Sequence, residues 1–125
     1  MRRIEKKPDS SIITEQLTYT NKNHRPKITE VLRREQHNIC AYTEEYLGRA
    51  DKAEIEHFNP TLKATDQDGY QNWFLVKGQW NNEKGSVARW RRHQPLLLPT
   101  SEDFEQRIVY LDGRYIVSDQ NDIEA

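Results

Sequence analysis

Glu56-His57-Phe58-Asn59-Pro60, followed by Asn72 and then by Asn81-Asn82-Glu83-Lys84-Gly85, is the part of this 125-residue chain on which its reading turns. An acidic residue stands directly before a histidine, a proline follows three residues later, and an Asn-x-x-Lys turn comes some way on. Hydrolysis of a phosphodiester needs an activated water and a divalent cation that neutralises charge developing on the phosphate and the leaving oxygen. A histidine that titrates near neutrality can serve as the base. Mg²⁺ prefers hard oxygen donors and keeps several waters, so one carboxylate and one amide oxygen suffice as protein ligands. Ala53-Glu54-Ile55-Glu56-His57 alternates as a strand does, and neighbours on a strand point to opposite faces. Glu56 and His57 can therefore share one site only where the strand bends or stops, and Pro60 with the polar stretch after it supplies that stop.

Around this stretch the sequence predicts a small α+β domain. Residues 1–26 are basic and polar, interrupted by Pro8 and Pro26, and read as an N-terminal arm. Ile28, Val31 and Leu32 recur at helical spacing and predict a helix over Lys27–Gln36. A short helical turn is expected over Thr43–Leu47, ended by Gly48, and a buried strand or tight turn over Trp73–Val76. Asn81 opens a further helix to about Arg92. The alternating apolar residues on either side of Asp112-Gly113 predict a C-terminal β-hairpin over 106–118.

Composition sets the remaining bounds. A chain of 125 residues makes one domain with a modest core. Hydrophobic content of 34% and charged content of 31%, with three Trp and six Tyr, describe a soluble globular protein. No apolar run approaches about 18 residues, no leader pattern opens the chain, and one cysteine makes no internal disulfide, so no membrane association and a cytoplasmic setting are expected. The net charge of −1 rules out a basic field over the whole protein, so any nucleic-acid contact must come from local patches. One candidate patch is Lys84, Arg89, Arg91, Arg92 and His93, interleaved with Trp90. It reads either as a strip of phosphate contacts or as an ordinary solvated helix face with Trp90 in the core.

These residues resemble the HNH, or ββα-metal, endonuclease family, through Glu56-His57-x-x-Pro60, the interval from Asn72 to Asn81, and Asn81-x-x-Lys84. The resemblance implies a ββα-metal core, with His57 as general base, Glu56 and Asn81 as ligands of Mg²⁺ or Mn²⁺, and Asn72 as the residue bracing the histidine loop. Lys84 falls where the family places a basic residue near DNA. The motifs cover 40–85, within a nuclease domain of 27–125 whose core is 40–93. A wider similarity adds the opening Met1–Pro8, Ile39–Glu44, Tyr70-Gln71-Asn72-Trp73 and Gln94–Pro99. It points to the bacterial HNH subunit of Septu-type and retron-linked anti-phage systems, which works beside an ATPase partner. It implies a nucleic-acid substrate, DNA before RNA, and marks the ending at Asp122–Ala125 as a truncation relative to the family. Members commonly carry two Cys-x-x-Cys knuckles around a structural zinc. Cys40 stands at one of those positions, with Thr43, Lys77 and Trp80 at the other three, so no structural zinc is expected. His37-x-x-Cys40 reads as half of another zinc site or as an exposed histidine beside a buried thiol.

Each residue also has an ordinary role. A histidine before an apolar residue is commonly structural, asparagines serve turns and helix caps, and Glu56 suits a surface. Two other functions fit the same chain: a catalytically inactive HNH-like module that binds nucleic acid or a partner protein, and a structural subunit whose activity lies in the ATPase.

Overall fold

Apolar residues at helical spacing seed the fold around α2, Arg25–Glu35, where Ile28, Val31 and Leu32 turn inward and are buried. The computed structural model describes residues 2–78 and 96–124. The helix expected from Asn81, with Trp80, Trp90 and the Lys84–His93 cluster, lies outside the described residues. α2 ends without a glycine. His37 and Asn38 take left-handed backbone with φ of 57° and 61°. Their N–H groups return to the carbonyls of Arg34 at 3.1 Å and Arg33 at 2.9 Å, closing the last turn in a Schellman pattern. His37 is thus an exposed residue of the helix stop, while Cys40 is fully buried.

The segment expected as an arm is folded onto the body. Ser10 caps a one-turn helix, α1, Ser11–Thr14, by accepting from the Ile12 N–H, and its hydroxyl donates to Glu35 of α2 at 2.7 Å. Ile12 enters the core, with Ile4, Leu17 and Tyr19 packed against it. Pro8 and Pro26 conceal this in the sequence, because the apolar residues between them are too sparse to show a period.

Two antiparallel strands form the central sheet. β1, Ala53–His57, pairs with β2, Trp73–Lys77, from Ala53 opposite Lys77 to His57 opposite Trp73. Phe74, Leu75 and Val76 are fully buried, so β2 is covered on both faces and reads as a continuous apolar run. Its outer edge has no third strand among the described residues; a side chain satisfies it. Buried Gln36 accepts from the Leu75 N–H at 2.8 Å and donates to the Leu75 carbonyl at 2.9 Å, which also accepts from Ala41 N–H at 3.0 Å. Gln36 therefore does for β2 what a neighbouring strand would do. Leaving that N–H buried without a partner would cost about 1–3 kcal/mol.

Between helix and sheet, the turn expected as helical over Thr43–Leu47 is instead a tight ribbon. Ile39 bridges Tyr46, the Cys40 N–H donates to the Glu45 carbonyl at 2.8 Å, and the Leu47 N–H to the Asn38 carbonyl at 2.7 Å. Glu44 has φ of 60°, which breaks any helix there, and the backbone groups a helix would use are spent across the ribbon. The C-terminal hairpin follows its sequence signal. β3, Ile108–Leu111, pairs with β4, Arg114–Val117, across Asp112 and Gly113, both at positive φ as a type I′ turn requires. A short helix, α3, Phe104–Arg107, precedes it, with Phe104 buried and Arg107 clamped on Asp122 at 2.6 and 2.7 Å. The architecture is α+β, with three helices and two small antiparallel sheets among the described residues. None of those helices is long and apolar enough to cross a membrane.

Lys6 docks the N-terminal segment on this sheet. Its ammonium donates to the Trp73 carbonyl and sits 4.3 Å from the centre of the Tyr70 ring and 4.4 Å from that of Phe74. Burial lowers its pKa to about 7 against the opposing pull of Glu35. Between that value and the ordinary 10.5, the unfolded chain holds a proton that the folded chain has released, so stability rises with pH across this window. Urea unfolding should show a gain of roughly 2 kcal/mol from about pH 7 to pH 9.5, with partial solvent access discounted. Lys6→Met should flatten that slope.

Candidate functional site

His57 closes β1 and shares a sheet face with Trp73, its partner across the strands. The loop that follows returns to pack beside it. Asp68, whose side chain is only 7% exposed, places Oδ2 3.1 Å from His57 Nε2. Its other oxygen accepts from Asn72 Nδ2 at 2.9 Å and from Trp73 Nε1 at 3.0 Å. A carboxylate removed from water needs such donors, and adjacent Asn72 and Trp73 supply an amide and an indole, with the His57 imidazole close by.

Asn72 fixes the chain just beyond the histidine. Its Oδ1 accepts from the Asn59 N–H at 2.8 Å, its Nδ2 donates to the Asn59 carbonyl at 3.1 Å, and its carbonyl accepts from the Phe58 N–H at 2.9 Å. Asn59 in turn caps the turn at Pro60–Leu62 by accepting from the Thr61 N–H. His57, Asp68, Asn72 and the 58–59 backbone are therefore one cross-linked unit. Tyr19 closes it on another side, edge-on to the imidazole with ring centres 4.5 Å apart.

Glu56 lies elsewhere. It is buried, faces Phe74 across the sheet, and so projects from the face opposite His57. Its charge acts on Tyr42, whose hydroxyl is held well above its usual pKa, first by burial, then by Glu56 and Cys40. The strand remains paired through His57, so the bend that would bring both side chains to one face does not occur within β1. Asn81, Lys84, Arg89, Arg91 and Arg92 lie outside the described residues. Among the described residues no three His, Cys, Asp or Glu side chains gather as a metal-ligand set.

Of the four positions at which the resemblance expects zinc-binding cysteines, three lie among the described residues: Cys40, Thr43 and Lys77. Lys77 ends β2 and bonds Glu45 at 2.8 Å, a hydrogen bond that holds its pKa above the ordinary value. Thr43 Oγ1 accepts from the Glu45 N–H at 3.2 Å. Glu45 thus links the ribbon to the end of β2.

Asp68 and Tyr19 are the residues that sequence reasoning missed. Asp68 stood in a polar loop beside Asp66 with nothing to set it apart, and its one clue was its place four residues before Asn72. Tyr19 belonged to the segment read as an arm. Comparison with protein-family models found no match, and comparison with curated proteins found none.

Replacing Asp68 by Asn keeps the shape but turns one acceptor into a donor, set against groups that themselves donate. Asp68→Asn should cost about 2–4 kcal/mol in urea unfolding. In long-range proton–nitrogen NMR spectra, the His57 ring-nitrogen shifts should move with the loss of the facing carboxylate.

Proposed function

We propose that this protein is a divalent-metal-dependent endonuclease of the HNH type, hydrolysing phosphodiester bonds of nucleic acid, DNA before RNA. The observation that carries the reading is His57 at the end of the first strand of an antiparallel pair, its imidazole against Asp68 and its loop pinned by Asn72. A base needs a fixed ring, a defined tautomer and a counter-charge for the imidazolium that forms. The Asp68–Asn72 unit supports the reading by pinning the histidine loop and placing a counter-charge 3.1 Å from Nε2.

In this mechanism His57 takes the proton of the attacking water while Asp68 steadies the resulting cation. Asn72 and Trp73 keep Asp68 in place. Bound Mg²⁺ or Mn²⁺ would supply charge neutralisation at the phosphate. Glu56 and Asn81 are the residues proposed to hold it, and a carboxylate with an amide oxygen suits a hard cation. In this structure Glu56 is buried on the face of β1 opposite His57, so its part in holding the metal rests on the resemblance alone. The same reading expects no structural zinc, since Thr43, Lys77 and Trp80 stand at three of the four knuckle positions. Work beside an ATPase partner in bacterial anti-phage defence is the setting that the sequence resemblance suggests.

A second reading, a binding module without catalysis, draws on the burial of His57, which is 5% exposed beneath Tyr19. Plasmid cleavage with Mg²⁺, with Mn²⁺ and with chelator separates the two. The parent should cut only with metal, and His57→Ala should lower the rate by about 10²–10⁴-fold while still binding DNA. Glu56→Ala should raise the metal concentration needed. A His57→Ala variant that cuts like the parent would sink the mechanism. A parent that never cuts, alone or with its ATPase partner, would establish the binding module.

A further inference from the structure

Tyr19 does more than cover the imidazole. The Arg25 guanidinium lies 3.9 Å from the centre of the Tyr19 ring, and its Nε donates to the Tyr19 carbonyl at 2.7 Å. Lys63 Nζ stands 5.3 Å from the same ring centre. Two cations from distant parts of the chain therefore meet on one ring, and that ring touches His57. The loop carrying Tyr19 is set by His24, whose Nδ1 accepts from the Thr18 N–H at 3.0 Å while Nε2 lies 3.2 Å from Asn21 Nδ2. Arg25 is thus held ready by stacking and by a backbone bond.

Arg34, Lys52, Lys77 and Arg107 all pair with carboxylates. Among the described residues, neither Arg25 nor Lys63 forms an ion pair. Both cations are thus free to take an anion near the Tyr19 ring. In a chain of net charge −1, such a local concentration of positive charge is a feature with a use.

We propose that Arg25 and Lys63, assembled on Tyr19, form an anchoring site for backbone phosphates of a nucleic-acid strand beside His57. The inference rests on the nuclease reading and adds to it a path for the strand across the N-terminal segment. Phosphate contacts of this kind fix register and release counterions, so each leaves a mark on the salt dependence of binding.

The test is fluorescence anisotropy with a labelled DNA duplex and a labelled single strand, in chelator so that nothing is cut, over a range of salt. The proteins are the parent, Arg25→Gln, Lys63→Gln and, as control, Lys52→Gln just before the opposite end of β1. Arg25→Gln and Lys63→Gln should each weaken binding by about tenfold at low salt and reduce the slope against log salt by about 1. Lys52→Gln should match the parent. Lys63 is exposed and carries the test alone if Arg25→Gln fails to fold. If the parent binds or cuts DNA and neither variant differs from Lys52→Gln, this site is overturned and the nuclease reading stands. If the parent binds neither strand form and cuts nothing, both fall together.

Discussion

One carboxylate organises the His57 end of the central sheet. Asp68 sits in a loop between the two central strands, yet its side chain is almost wholly buried and meets His57, Asn72 and Trp73 at 2.9–3.1 Å. A buried charge is costly unless donors surround it, and providing them dictates much of the local fold. Trp73 must begin β2 with its indole turned back, Asn72 must stand just before it, and His57 must end β1 directly opposite. Once these are set, the free edges of Asn72 reach the Asn59 backbone, and the turn at Pro60 starts from a fixed point. Stability and site geometry are the same set of contacts here.

The sheet beneath depends on a similar economy. With two strands, β1 and β2 cannot close their own edges, and Gln36 supplies donor and acceptor to Leu75 from the end of α2. The non-glycine Schellman stop at His37 and Asn38 leads the chain out of α2 from Gln36, so that Ala41 follows along the same edge. Helix end, ribbon and sheet edge form one chain of cause, reinforced where Lys77 meets Glu45.

Strong periodicity made part of this legible. The helical stripe of Ile28, Val31 and Leu32, the apolar run at Trp73–Val76 and the Asp112-Gly113 hairpin each carried a local signal that the fold keeps. Thr43–Leu47, the second half of the ribbon, reads as helical in the sequence because Glu44 gives no sign there of its positive φ. The N-terminal segment hid its role because Ile4, Ile12 and Tyr19 contact the core singly, through tertiary packing that no period reports. At the site, His57 and Asn72 stood out by type and spacing, whereas Asp68 matters through partners that come together only on folding. The opposite facing of Glu56 and His57 was visible as a strand rule, and the unbroken pairing through His57 keeps it in force.

The central claim is that His57, held by Asp68, is a base. Chemical rescue addresses that role most directly: His57→Gly is assayed for metal-dependent cleavage with and without added imidazole, its fold checked by circular dichroism. The account predicts a folded variant that barely cuts alone and recovers activity as imidazole fills the vacated space. A folded His57→Gly that cuts at the parent rate without imidazole would contradict it.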